Sequence, residues 1–168
     1  MQKHSVYLSL GSNLGDRLKN LHSARQALLP KVEILDCSAI YETPPWGYTD
    51  QPSFYNQVLL CKTSLTPQAL LRFIKNLEQN LGRVTSFRNG PRLIDVDILF
   101  YDDLILDTPE LGLPHPRMEG RAFVWLPFAE LAPQFVHPAL GKTAAQIISE
   151  LDTSQIVRLD LPDADQCN

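Results

Sequence analysis

Two successive strand-like runs with no helix between them, a strand–helix pair before them and a helix–strand pair after them give the order β-α-β-β-α-β. That order predicts an α+β chain of the ferredoxin-like arrangement, an antiparallel sheet with helices packed on it and additions at the C-terminus. A doubly wound parallel sheet requires a helical crossover between neighbouring strands and fits less well. With 168 residues, 44% hydrophobic and 20% charged, the chain has the size and balance of a single globular domain spanning 1–168.

Val6 to Leu10 alternates as a short strand and is broken by Gly11-Ser12-Asn13-Leu14-Gly15-Asp16. Asp16 is a candidate N-cap, and Leu18, Leu21, Leu28 and Leu29 follow on one helical face. Val32 to Tyr41 reads as one strand. Glu42 to Ser53 contains Pro44, Pro45, Gly47 and Pro52 and reads as a long loop. Phe54 to Thr63 is a strong strand around Val58, Leu59, Leu60 and Cys61. Thr66-Pro67 opens the second helix as N-cap and first helical residue. Its apolar stripe is Leu70, Phe73, Ile74, Leu77 and Leu81, and Gly82 ends it. After a loop to Arg92, Ile94 to Tyr101 predicts the last main strand, and Leu104-Ile105-Leu106 a short return strand. Pro114-His115-Pro116 is a rigid bend, Phe123 to Leu131 is mainly apolar, and Thr143 to Leu151 predicts a final helix. The acidic, polar tail from about Pro162 is expected to fray.

The net charge of −4 argues against nucleic acid or an anionic membrane surface as a partner. The apolar stretch near the N-terminus is too short for a signal-peptide core, and no run reaches the roughly 18 apolar residues of a membrane span. Cys37, Cys61 and Cys167 are odd in number and lack C-x-x-C spacing, which speaks against a disulfide framework or a zinc site. Cys37 and Cys61 lie in apolar runs and read as core thiols, so a reducing cytoplasm is the expected compartment.

Chemistry concentrates between Arg88 and Leu99. Strand alternation puts Ile94, Val96, Ile98 and Phe100 on one apolar face and the carboxylates of Asp95 and Asp97 together on the other. Two carboxylates this close repel unless positive charge lies between them. Oxygen ligands favour a hard cation such as magnesium, and an i, i+2 pair can hold two ions about 4 Å apart, as in two-metal phosphoryl-transfer sites. Five of the nine arginines, Arg83, Arg88, Arg92, Arg117 and Arg121, lie nearby in sequence, and guanidinium forks suit phosphate oxygens. No standard nucleotide-binding motif is present. His115 is held between two prolines. A second group, Thr43-Pro44-Pro45-Trp46-Gly47 with Phe54 and Asn56, offers an aromatic wall beside an amide, a slot for a flat heterocycle. Taken alone, that group reads more simply as core packing.

Together these residues resemble the 6-hydroxymethyl-7,8-dihydropterin pyrophosphokinase family over roughly positions 4 to 160. The long signature [KRHD]-x-G-P-R-x-x-D-[LIV]-D-[LIVM]-[LIVM] is met by Arg88 through Leu99. Supporting segments are Leu10 through Asp16, Tyr41 through Gly47, Gln51 through Asn56, Glu78 with Gly82-Arg83, and Pro114 through Met118 leading to Arg121-Ala122-Phe123. The resemblance implies a cytoplasmic, monomeric, single-domain enzyme of folate biosynthesis. It implies transfer of a diphosphoryl group from ATP to the hydroxymethyl group of the dihydropterin, with release of AMP. It further implies that Asp95 and Asp97 hold two Mg2+ ions and that Arg83, Arg88, Arg92, His115 and Arg121 face the triphosphate, with Glu78 on the nucleotide side. Arg83 and Arg92 join Asp95 and Asp97 as the catalytic set. Phe54 and Phe123 would sandwich the pterin, Asn56, Thr43 and Pro44 would read its edge, and Gly11 and Trp46 would wall the pocket. Asn89, Thr85 and Glu119 depart from residues common in the family. The alternative, a ferredoxin-like ligand- or nucleic-acid-binding module without catalysis, would carry basic-aromatic strands that this chain lacks. An aldolase acting on the same pterin would have no use for the carboxylate pair.

Overall fold

The computed structural model describes residues 2–45, 49–82, 91–162 and 167. In chain order the elements are β1 (His4–Ser12), α1 (Arg17–Leu28), β2 (Val32–Cys37), β3 (Tyr41–Thr43), β4 (Phe54–Thr63) and α2 (Pro67–Asn80). There follow β5 (Asp95–Tyr101), β6 (Leu106–Asp107), β7 (Gly112–Leu113), α3 (Ala122–Leu131), α4 (Ala144–Ser149) and β8 (Val157–Arg158). The main sheet runs β5-β1-β4-β3-β8, with β2 also paired to β4, and its pairings are antiparallel. This is the ferredoxin-like arrangement that the element order predicts.

The helix caps form as the sequence suggests. The Asp16 carboxylate accepts from the Lys19 N–H at 3.1 Å, and the Thr66 hydroxyl accepts from the Ala69 N–H at 3.2 Å. Thr143 and Gln146 form a reciprocal capping box, which starts the last helix at Ala144. Two helices cover one face of the sheet: Leu21, Ala24 and Leu28 of α1 and Leu70, Ile74 and Leu77 of α2 pack on Val6, Leu8, Leu10, Leu59 and Cys61. Burial pushes the Cys61 thiol up to about 12, consistent with an inert core residue. On the opposite face α3 and α4 pack Val124, Trp125, Phe128 and Ile147 against Val58, Leu99 and Phe100.

Four expectations need correction. Phe100 does not share the face of Ile94, Val96 and Ile98. Against β1, Tyr7 pairs with Phe100 but Leu8 pairs with Ile98, so Leu99 is an extra residue in β5. This bulge turns Leu99 and Phe100 together onto the second face and returns Tyr101 to the first. Nor is Val32 to Tyr41 one strand. The Ser38 hydroxyl takes the Val58 N–H at 3.0 Å, a side chain standing in for the ladder, and β3 restarts at Tyr41. Among the described residues the segment at Leu104–Leu106 does not return to the main sheet; Leu106–Asp107 pairs with Gly112–Leu113 in a separate ribbon. Finally, Cys37 is not a core thiol. It ends β2, where it is partly exposed, and is joined to Cys167 by a disulfide with Cα atoms 5.5 Å apart. The C-terminal segment is also held earlier: β8 pairs with β3, and the Leu159 N–H donates to the Ile40 carbonyl at 2.9 Å. Apart from Cys167, the tail beyond Pro162 lies outside the described residues.

Phe100 is 1% exposed and meets Phe128 and Phe135 at ring-centroid distances of 5.0 and 4.6 Å. Replacing Phe100 with Ala should cost about 3–5 kcal/mol in urea unfolding, the scale of a buried aromatic truncation. Ile105→Ala, at a 60% exposed position, should be near neutral. A cost below about 1 kcal/mol for Phe100→Ala would contradict the bulge that buries it.

Candidate active site

On the second face, beside α3, the sheet leaves a cavity of about 160 Å³. Its floor follows from strand register. Gly11 of β1 lies between Asp95 of β5 and Asn56 of β4, and one row further on Ser9 lies between Asp97 and Val58. Side chains directly opposite across antiparallel strands project to the same face. The carboxylates and the amide therefore stand on one surface with β1 between them.

Gly11 is required there by space. A Cβ on it would lie 2.8 Å from Asn56 Oδ1. The buried Asn56 donates from Nδ2 to Thr43 Oγ1 at 2.6 Å, which fixes the amide and leaves Oδ1 on the Gly11 side. Phe54, at the start of β4, and Phe123, in the first turn of α3, supply aromatic walls, and Pro44 lines the rim. The guanidinium carbon of Arg121 lies 5.7 Å from the centre of the Phe123 ring.

The turn after β1 positions the charged side. The Asn13 side chain is 1% exposed. Its Oδ1 accepts from the Arg92 N–H at 2.7 Å, and its Nδ2 donates to Gln51 Oε1 at 2.8 Å and to the Pro52 carbonyl at 2.9 Å. One side chain thus staples the Arg92 and Gln51–Pro52 segments to the end of β1. His115 is held by its backbone N–H, which donates to the Leu99 carbonyl at 2.9 Å. Its Nδ1 accepts from the Arg117 N–H at 3.1 Å, so Nε2 carries the proton that faces Asp97 Oδ1 at 3.6 Å. Burial alone would raise the Asp97 carboxyl, but His115 and Arg117, with a further hydrogen bond to Asp95, hold it below the usual carboxylate range. Asp97 is thus favoured as an anion beside His115 and Arg117.

A larger groove of about 1010 Å³ adjoins this cavity along the outer edge of β5. It is lined by Leu71 and Lys75 of α2, by Ile98, and by the β6–β7 ribbon, and it shares Asp97, His115 and Arg117 with the first cavity.

Eleven residues singled out in the sequence therefore meet in one cavity: Gly11, Thr43, Pro44, Phe54, Asn56, Arg92, Asp95, Asp97, His115, Arg121 and Phe123. Glu78 does not line it. Its buried carboxylate accepts from the Val96 N–H at 2.9 Å at the outer edge of β5. Trp46, Arg83 and Arg88 lie outside the described residues. The sequence reading gave no site role to Ser9, Leu99, Met118 or Val124, which complete the walls, and left Arg117 only in the arginine cluster. The alternation of Ser9 with Gly11 on β1 was the available signal.

The family model for 7,8-dihydro-6-hydroxymethylpterin-pyrophosphokinase matches residues 7–133, which include the carboxylate pair and both aromatic walls. The chain belongs to this family. It is 45% identical over 138 residues to the 2-amino-4-hydroxy-6-hydroxymethyldihydropteridine pyrophosphokinase of Aquifex aeolicus, covering 82% of this chain and 86% of that protein. The enzyme of the same name from Methylorubrum extorquens is 42% identical over 157 residues, covering 92% and 98%. A folic acid synthesis protein of Dictyostelium discoideum is 47% identical over 138 residues, covering 82% of this chain but only 21% of that longer protein. A crystal structure of the HPPK-DHPS protein of Plasmodium falciparum with pteroate superposes with a TM-score of 0.76 at 17% identity, over 95% of this chain and 47% of that one. That likeness shows the shared fold.

Gly11→Ala should leave the melting temperature within a few degrees of wild type while weakening pterin binding at least tenfold by calorimetry, because Asn56 must leave its place. Unchanged binding would show that Asn56 does not read the ring.

Proposed function

We propose that this cavity is where the pyrophosphokinase carries out ATP-dependent diphosphoryl transfer to the hydroxymethyl group of 6-hydroxymethyl-7,8-dihydropterin, releasing AMP, in folate biosynthesis. The observation that carries the reading is the shared wall. A small slot with aromatic sides and an amide floor opens at Asp97, His115 and Arg117 into a groove large enough for a nucleotide. Two substrates entering from the two sides meet at those residues.

The pterin lies between Phe54 and Phe123, with its amide-like edge on Asn56 and the Thr43–Pro44 segment, and Gly11 gives it room. ATP occupies the groove along β5. Arg92, Arg121 and His115 reach the triphosphate, joined by Arg83 and Arg88, while Glu78 acts at the nucleotide side through the β5 edge that it holds. The acceptor oxygen bonds to the β-phosphorus as the bond from that phosphorus to the α,β-bridging oxygen breaks; AMP leaves with the bridging oxygen, and the acceptor's proton passes to water. Holding both reactants in line accounts for much of the rate.

Among the described residues no group of three or more His, Cys, Asp or Glu side chains could hold a metal ion. Asp95 and Asp97 nevertheless fit magnesium, which commonly takes one or two carboxylates and completes its shell with phosphate oxygens and water. Two Mg2+ ions bound there would offset charge on the triphosphate. Asp95 and Asp97 would hold them; His115 and Arg117 orient and balance Asp97.

One catalytic domain acting as a monomer belongs to the same proposal, since one chain supplies every cavity residue named. So does a cytoplasmic location, although the Cys37–Cys167 pair removes the thiol argument for it. No helix among the described residues is long and apolar enough to cross a membrane. The net charge of −4 remains the argument against a nucleic-acid partner.

Incubation with ATP, magnesium and the dihydropterin alcohol should yield AMP and no ADP, and excess chelator should abolish turnover. Asp95→Ala or Asp97→Ala should lower kcat at least a thousandfold with the fold retained, the scale of a lost electrostatic contact in phosphoryl transfer. Formation of ADP, or near-normal turnover by Asp97→Ala at saturating magnesium, would contradict the reading.

A further inference from the structure

Ser9 lines the cavity on β1, directly across from Asp97 on one side and from Val58 on the other. It is partly buried, and its hydroxyl makes no hydrogen bond among the described residues. No buried side-chain polar atom among them lacks a partner, so this oxygen is open to the cavity. Its polar neighbours are engaged: Asn56 with Thr43, and Asp97 with His115. Nearby Val58, Leu99 and Val124 are apolar. At this end of the floor Ser9 is therefore an uncharged hydrogen-bonding group, one strand row beyond Gly11 on the side of Asp97.

A ring seated over Gly11 with its edge on Asn56 would have its far side at the β5 carboxylates, Asp95 in the same row and Asp97 in the row of Ser9. We infer that Ser9 is a positioning and specificity-determining residue: its hydroxyl accepts a hydrogen bond from the O–H of the hydroxymethyl arm. This inference rests on the placement of the pterin proposed above. A carboxylate that holds cations has less capacity left for that proton, whereas a hydroxyl can donate and accept at once. Fixing the O–H at Ser9 points an oxygen lone pair at the nucleotide. It also distinguishes an acceptor that bears a hydroxyl from a 6-alkyl pterin, because the analogue offers Ser9 no partner while covering it. No proton is transferred to Ser9.

The test is titration calorimetry of 6-hydroxymethylpterin and 6-methylpterin, each with magnesium and a non-hydrolysable ATP analogue, on wild type, Ser9→Ala and Ser9→Thr. Wild type should prefer the hydroxymethyl compound by roughly tenfold, the scale of one neutral hydrogen bond. Ser9→Ala should lose that preference by weakening the hydroxymethyl compound alone, with a matching fall in kcat, and Ser9→Thr should keep it. An unchanged preference in Ser9→Ala, or equal weakening of both compounds, would overturn the role of Ser9 and leave the proposed function standing. Failure of wild type to bind either compound would overturn the pterin placement itself.

Discussion

The extra residue at Leu99 is the constraint on which the cavity end of the sheet depends. Up to Ile98, β5 alternates and sends Asp95 and Asp97 to the cavity face. Uninterrupted alternation would then send Phe100 to the face covered by α1 and α2. The bulge turns it instead into the aromatic cluster of Tyr7, Trp125, Phe128 and Phe135. That cluster seats α3, whose first turn carries Phe123. The carbonyl of Leu99 also receives the His115 N–H, so the same irregularity anchors the bend that brings an imidazole to Asp97. One aromatic wall and the imidazole beside Asp97 are placed by a single break in a strand whose regular half carries the two carboxylates.

The central strand divides the work. β1 supplies almost no side-chain bulk to the cavity, only Ser9 and Gly11, and this lets groups on β4 and β5 share one floor. The small slot and the large groove then meet at Asp97. Such a joint suits a reaction in which two bound substrates exchange a group directly, because neither needs to move far once both are held. Glu130 ties the distal end of α3 to the same sheet. Its carboxylate accepts from the Ala39 N–H at 2.8 Å and from the Tyr41 hydroxyl at 2.5 Å, and Arg158 of β8 lies 3.6 Å away. The C-terminal strand therefore steadies β3, which presents Thr43.

Much of this was legible in the sequence. The element order gave the topology, and Asp16 and Thr66 marked helix starts because capping is local chemistry. Asp95 and Asp97 stood out because carboxylates are unusual on an apolar strand. What escaped was non-local. The Leu99 bulge exists only in the register between β1 and β5. The break at Ser38 depends on a hydroxyl that meets Val58 from another strand. The Cys37–Cys167 pair joins residues 130 positions apart, and nothing in their local spacing indicates that they meet. Asn13 read as part of a tight turn, and its staple to Arg92 and Pro52 became visible only once three segments were brought together. Ser9 was passed over because a serine in a strand carries no signal until its neighbours across the sheet are known.

The central claim is that one sheet face holds the ring slot and the carboxylate pair on either side of β1. A crystal structure of the ternary complex with a pterin, magnesium and a non-hydrolysable ATP analogue tests it most directly. The account predicts the ring between Phe54 and Phe123 with its edge on Asn56, the nucleotide along the β5 edge, and Asp95 and Asp97 turned towards the phosphates. A ring bound in the groove beside Leu71 and Lys75, or phosphates lying away from Asp95 and Asp97, would contradict it.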